Sequence, residues 1–185
     1  LVADEIAVGF GRTGTMFAHQ QAGIRPDFIC LSKGLTGGTL PLSAVLTTDA
    51  VYAAFYDDDV ARGFLHSHSY TGNPLACRAA LATLDLFTQT DALAHNARRA
   101  PLFHAAFAPL SAHPRVRHAR HLGMLWAWDV EGTAPDFARR YHRHAMARGL
   151  LLRPIGRTLY AMPPYVLDDD AIAHLGRQAL AALDA

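Results

Sequence analysis

The feature that most constrains the fold of this chain is a short apolar run that ends in a lysine. Residues 29–31 are Ile-Cys-Leu, Lys33 follows after one serine, and a glycine-rich stretch comes next at residues 34–38. An apolar run bounded in this way predicts a buried β-strand. Burial would favour the neutral amine of Lys33, which can act as a nucleophile. The alternative is a lysine that extends from the strand end into solvent.

A second apolar run, residues 1–3, ends in the carboxylates of Asp4 and Glu5. If the two strands are parallel neighbours, their carboxyl ends lie at the sheet edge where α/β proteins bind ligands, and Asp4 and Lys33 converge there. This pair suits pyridoxal phosphate, because a lysine forms a Schiff base with its aldehyde and a carboxylate keeps its ring nitrogen protonated. Glu5 is interpreted as a supporting or solvated carboxylate.

A glycine-rich loop follows the first strand. Residues 9–14 match the dinucleotide-binding pattern G-x-G-x-x-G. That pattern requires a strand before it and a long helix that opens on its third glycine. Here the following segment, residues 15–23, is short and is closed by Gly23 and Pro26. The loop is therefore interpreted as part of an active site and not as a dinucleotide site.

The order of predicted elements divides the chain into an α/β part, residues 1–90, and a smaller α+β unit, residues 91–185. The predicted strands are residues 1–3, 27–32, 42–47, one or two strands within 116–130 with a turn at Gly123, 150–153 and 158–162. The predicted helices are residues 49–56 with Asp49 as N-cap, 74–88 after Asn73, 91–110 with a break near Pro101, 135–148 ending at Gly149, and a last helix from Asp168 to Leu183.

Composition excludes several classes of protein. With a net charge of +1, the chain has no strong positive potential that would attract nucleic acid. No apolar run reaches the length that spans a membrane. Cys30 and Cys77 are isolated, which predicts free thiols in a reducing cytoplasm. His66 and His68 lack a third ligand, so no metal site is expected. The chain starts within a predicted core strand and without methionine, so we expect either a piece of a longer protein or a chain whose partner half is separate.

Three segments resemble the class III aminotransferases. Residues 4–14 (DEIAVGFGRTG) resemble their aspartate motif, and residues 30–38 (CLSKGLTGG) resemble their lysine motif. Residues 69–77 (SYTGNPLAC) resemble the segment that lends a hydroxyl to the cofactor phosphate of the neighbouring subunit. The resemblance implies pyridoxal-phosphate fold type I, with part of the large-domain sheet over residues 1–90 and the small C-terminal domain over residues 91–185. It also implies a homodimer and covers about the C-terminal two-fifths of such an enzyme.

The resemblance implies a role for each matching residue on the cofactor side. Lys33 matches the catalytic lysine, which binds the cofactor and moves a proton on the bound substrate. Asp4 matches the partner of the ring nitrogen, and Ile6 matches an apolar residue on the ring face. Ser69 matches a phosphate-binding position that is more often threonine. Residues 66–68 depart from the glycine-containing stretch of the family.

On the substrate side, residues 40–48 and 153–165 resemble most closely the members of the family that act in biotin synthesis. This implies S-adenosylmethionine as amino donor and 8-amino-7-oxononanoate as acceptor. Arg153 matches the arginine that binds the substrate carboxylate, where a planar bidentate donor fits, and Tyr160 matches a substrate-site tyrosine. Two alternatives stay open: an aminotransferase for ornithine or another ω-amino acid, and a part that is inactive without its N-terminal half.

Overall fold

A computed structural model describes all 185 residues, and the chain divides into two compact units, Leu1–Leu93 and Ala94–Ala185. Each unit contains its own three-stranded sheet. The mixed α/β class that the sequence predicts is confirmed. No helix in the chain combines the length and the apolar character that crossing a bilayer requires.

The sheet of the first unit is formed by two parallel strands and one antiparallel strand. Its strands are β1 (Val2–Asp4), β2 (Phe28–Leu31) and β3 (Ala44–Thr47). β1 pairs with β2 in parallel, and β2 pairs with β3 in antiparallel orientation. The parallel pairing that the chemistry of Asp4 and Lys33 requires is thus present.

Two α-helices and three 3₁₀ turns complete the first unit. The helices are α1 (Asp49–Ala53) and α2 (Pro74–Gln89), and the 3₁₀ turns are Ala18–Gln20, Lys33–Thr36 and Val60–Arg62. The N-cap of α2 is Asn73, as predicted, because its Oδ1 accepts from Leu75 N at 3.0 Å. The N-cap of α1 is Thr48 and not Asp49, since Thr48 Oγ1 accepts from Val51 N at 3.4 Å.

The second unit is an antiparallel sheet with three helices. Its strands are β4 (Val116–Leu122), β5 (Leu125–Val130) and β6 (Thr158–Ala161), and its helices are α3 (Ala92–Ser111), α4 (Phe137–Met146) and α5 (Asp169–Leu183). β5 is central, between β4 and β6. Alternate residues of β5 are buried, namely Trp126, Trp128 and Val130, and they form a core with Phe103 and Phe107 of α3.

Two predictions for this unit are wrong. The helix expected to break near Pro101 is continuous, since α3 runs from Ala92 to Ser111 through Pro101 and Pro109. Residues 150–153 form no strand. The end of α4 explains the second error, because Gly149 adopts a φ of 77° and Leu150 N donates to Ala145 O at 2.9 Å. These are the features of a Schellman cap, so the amide that a strand would use is already bonded.

Candidate active site

The parallel pairing of β1 and β2 places Asp4 and Lys33 at one edge of the first sheet. Asp4 lies opposite Cys30 in the register, and Glu5 N donates to Cys30 O at 3.0 Å. Lys33 begins the 3₁₀ turn that follows β2. Both residues are exposed at the carboxyl edge of the strands, and neither takes part in an ion pair. The Asp4 carboxylate and the Lys33 amine are therefore both available to bind a ligand.

The backbone of Lys33 is held in an unusual conformation. Its φ is 41°, in the left-handed region that residues with a side chain avoid at a cost of about 1–2 kcal/mol. Hydrogen bonds fix the turn at both ends: Ser32 Oγ donates to Leu42 O at 2.7 Å before it, and Gly38 N donates to Lys33 O at 3.0 Å after it. Strained backbone of this kind persists where the surroundings over-determine it, often at functional sites. Lys33 is also the only lysine in the chain.

The remaining predicted cofactor residues lie in the same unit but in two different places. Ile6 is half-buried beside Asp4, and its N–H donates to Asp4 Oδ1 at 3.0 Å, which fixes that carboxylate. Ser69 is exposed within residues 64–72, just before the N-cap of α2. Close to Ser69, His68 Nδ1 accepts from Tyr70 N at 3.1 Å. His68 is therefore engaged in the local turn.

The predicted substrate residues line one cavity of the second unit. This cavity has a volume of about 1160 Å³, and both Arg153 and Tyr160 lie in its wall. Arg153 is exposed and Tyr160, on β6, is half-buried. The segment before Arg153 is held by the His142 ring, whose Nδ1 bonds Leu152 O at 2.8 Å. The wall thus offers a cation and a hydroxyl, two groups that can bind a carboxylate.

Glu5 is a buried structural residue. It is 2% exposed, so the interpretation as a solvated carboxylate is wrong and the supporting role remains. Its carboxylate accepts from Ala18 N at 2.9 Å, His19 N at 2.8 Å and His19 Nδ1 at 3.0 Å. Burial by itself raises the pKa of Glu5, but these donors outweigh it and hold the pKa below its usual range. Glu5 therefore connects Ala18 and His19, which follow the glycine-rich loop, to the carboxyl end of β1, where Asp4 lies.

We expect Glu5→Gln to destabilise the protein by about 1–3 kcal/mol, because an amide leaves at least one buried donor without an acceptor. The lowered pKa of Glu5 gives stability that is present above the pKa of an unfolded glutamate, about 4.3, and is lost as the pH falls below it. Urea unfolding at a series of pH values measures both effects. The other glutamate, Glu131, is about half exposed, so Glu131→Gln is the control and should change little. An equal loss in both variants would contradict the role of Glu5.

The glycine-rich loop is not followed by the long helix that the dinucleotide-binding pattern requires. Residues 9–14 lie in turns, and the only helical segment before β2 is the 3₁₀ turn Ala18–Gln20. The loop instead connects the carboxyl end of β1 to β2. It is therefore part of the same sheet edge as Asp4 and Lys33.

The site has the arrangement that the resemblance to the class III aminotransferases implies. A lysine and an aspartate lie at the ends of neighbouring parallel strands, and a glycine-rich loop follows the aspartate. The chain belongs to the class III aminotransferases, whose family model, Aminotransferase class-III, matches residues 1–183. The resemblance found in the sequence is thereby confirmed.

Among the curated relatives, two adenosylmethionine-8-amino-7-oxononanoate aminotransferases are each 46% identical to this chain. The one from Helicobacter pylori aligns over 178 residues, which are 93% of this chain and 41% of the relative. The one from Synechococcus elongatus aligns over 171 residues, which are 90% of this chain and 40% of the relative. The chain spans about two-fifths of the length of these relatives.

Solved structures agree on the fold. The adenosylmethionine-8-amino-7-oxononanoate aminotransferase of Methanocaldococcus jannaschii superposes with a TM-score of 0.92 at 33% identity and covers 99% of this chain and 45% of that structure. A thermostable omega transaminase from Pseudomonas jessenii also gives a TM-score of 0.92, at 27% identity, with 99% of this chain and 43% of that structure covered. The fold is therefore shared with solved transaminases of different names, so the fold match alone does not select a substrate.

Proposed function

We propose that the 185-residue chain is part of a pyridoxal-phosphate-dependent aminotransferase of biotin synthesis. It would transfer an amino group from S-adenosylmethionine to 8-amino-7-oxononanoate and give 7,8-diaminononanoate. The observation that carries the class of reaction is the exposed pair Asp4 and Lys33 at one sheet edge. The choice of substrates is supported by 46% identity to curated relatives that are named for this acceptor and donor.

The residues present fit the cofactor. Pyridoxal phosphate requires an amine for covalent attachment and a carboxylate for its ring nitrogen, and Lys33 and Asp4 provide both without neutralising each other in an ion pair. The half-buried Ile6 provides an apolar surface beside Asp4. When bound, the cofactor supplies an electron sink for the electrons that remain after a proton leaves the donor carbon.

Each candidate site residue of this chain would have its own role in the reaction. Lys33 Nζ would hold the cofactor and, once the substrate has freed the amine, would move the proton between the reacting carbon of the substrate and the cofactor. The Asp4 carboxylate would keep a proton at the ring nitrogen, and the Asp4 orientation is set by Ile6 N. Arg153 would bind the substrate carboxylate through two parallel hydrogen bonds, and Tyr160 would line the same cavity.

We also propose a homodimer in the cytoplasm. In the family that the chain resembles, the residue at Ser69 acts on the cofactor phosphate of the partner subunit, and exposure of Ser69 is compatible with such a role. The cytoplasmic location is supported by the two unpaired cysteines, Cys30 and Cys77. The 185-residue chain assayed alone should bind the cofactor weakly or not at all, because it spans about two-fifths of its relatives.

A comparison of amino donors tests the proposed reaction. We expect the full-length protein to use S-adenosylmethionine with 8-amino-7-oxononanoate, and to use ornithine or γ-aminobutyrate at less than about a hundredth of that efficiency, since a site built for one set of polar contacts rejects ligands that lack them. Product formation is followed by mass spectrometry. The second candidate, an ω-amino acid aminotransferase, is favoured by the fold match to the Pseudomonas jessenii enzyme. Activity with ornithine or γ-aminobutyrate alone would establish it and exclude the first.

A further inference from the structure

Phe10 and Gly34 make a contact that has no role in the reaction described above. Phe10 is 3% exposed, and its ring lies against Phe17 and Phe87 with centroid distances of 5.6 and 6.3 Å. A Cβ placed on Gly34 would lie 2.8 Å from Phe10 Cδ2 and 2.9 Å from Phe10 Cβ. Real Cβ atoms do not approach other carbon atoms so closely, so Phe10 fills the space where a side chain at residue 34 would be.

The contact joins two stretches of left-handed backbone. Phe10 has a φ of 58°, and Lys33, bonded directly to Gly34, has a φ of 41°. A residue with a side chain stays in this region only when its surroundings hold it there. The hydrogen bond from Ser32 Oγ to Leu42 O fixes the turn within its own segment. The Phe10 contact fixes it against a different segment.

That other segment is the loop that follows Asp4. Glu5 ties the far end of this loop to the strand end through Ala18 and His19. Phe10, in the middle of the loop, ties it to the turn that begins at Lys33. The contact is therefore a direct packing link between the motif that carries Asp4 and the motif that carries Lys33.

We propose that Phe10 is a positioning residue for Lys33: its packing against Gly34 holds the Lys33 backbone in the left-handed conformation and in register with the loop after Asp4. The inference rests on the proposed role of Lys33 as the residue that binds the cofactor. Without the Phe10 side chain, the turn can relax toward ordinary backbone angles, and the Lys33 amine leaves its place at the sheet edge. Attachment of the cofactor then becomes slower although Lys33 is present.

The test measures how fast Lys33 becomes attached to added pyridoxal phosphate in the full-length protein. Samples are reduced with borohydride at intervals, and the modified Lys33 peptide is quantified by mass spectrometry. We expect Phe10→Ala to slow attachment by about tenfold, which corresponds to ~1.4 kcal/mol. Phe10→Leu, which keeps Cβ and two terminal carbons, should restore the rate to within about threefold of the wild type.

Phe87→Ala is the matched control, because Phe87 packs on the same cluster, whereas the three atoms nearest to a Cβ placed on Gly34 all belong to Phe10. It should destabilise the cofactor-free protein in thermal unfolding and leave the rate of Lys33 attachment within about twofold. If Phe10→Ala does not fold, Gly34→Ala decides, because it removes no core side chain and forces the turn away from Phe10. We expect this variant to slow attachment as well.

Three results would contradict the proposals, and they have different meanings. Wild-type attachment at Lys33 together with unchanged rates in Phe10→Ala or Gly34→Ala would overturn the positioning role alone. Equal slowing in Phe10→Ala and Phe87→Ala would also overturn it, since the effect would then come from general loss of packing. No attachment at Lys33 in the wild type would instead overturn the proposed function.

Discussion

In the full-length protein, Lys33→Ala is expected to reduce transamination by at least about 10²–10⁴-fold, the contribution of a positioned acid–base group. It should also abolish covalent attachment of pyridoxal phosphate and the visible absorbance that accompanies it. The physical reason is that Lys33 is the amine at the edge where β1 and β2 end, beside Asp4, and alanine has no group that can bind the cofactor or move the proton. Steady-state kinetics and an absorbance spectrum of the purified variant measure both losses.

The control for this prediction is Lys33→Arg, which keeps the positive charge but stays protonated and cannot accept a proton from the substrate. It should be as inactive as Lys33→Ala. Because Lys33 is exposed and forms no ion pair, both variants should keep the free energy of unfolding of the wild type within about 0.5 kcal/mol. A Lys33→Ala protein that retains the absorbance of attached cofactor would show that a different residue binds it.

The placement of Asp4 and Lys33 could be predicted because it depends on short-range signals. Asp4 directly follows an apolar run and Lys33 follows another after one serine, and parallel pairing then brings the two strand ends together. The contact of Phe10 with Gly34 could not be predicted, since it depends on how two segments far apart in sequence pack. The burial of Glu5 could not be predicted either. Its hydrogen-bond donors are the amides of Ala18 and His19, and amides carry no sequence signal.

The two errors in the second unit show where sequence patterns fail. Pro101 predicts a break because a proline lacks an N–H and its ring clashes with the preceding turn. The helix α3 continues regardless, because Phe103, Phe107 and Leu110 on its inner face are almost fully buried after that point. Packing of this apolar face therefore outweighs the lost hydrogen bonds and ring clashes at Pro101 and Pro109. Residues 150–153, three leucines and an arginine, have the pattern of a strand. Leu150 N and Leu152 O are instead bonded to the end of α4 and to the His142 ring.

This explanation of α3 predicts a large loss of stability in Phe107→Ala. The Phe107 ring is 1% exposed and packs against Trp128 and Trp126, with centroid distances of 4.9 and 5.5 Å. Truncating a buried phenylalanine costs about 3–5 kcal/mol, because the transfer free energy is lost and a cavity remains. Urea unfolding followed by tryptophan fluorescence measures the change directly, since both tryptophans of the chain lie in this core.

Leu102→Ala is the matched control for this variant, because Leu102 lies on the same helix and is 43% exposed. It should lower the free energy of unfolding by less than about 1 kcal/mol. An equal loss of the free energy of unfolding in both variants would mean that the buried face is not what stabilises α3. The helix beyond Pro101 would then need another source of stability. A larger loss in Phe107→Ala than in Leu102→Ala, as expected, would show that α3 stays continuous because its buried face packs against β5.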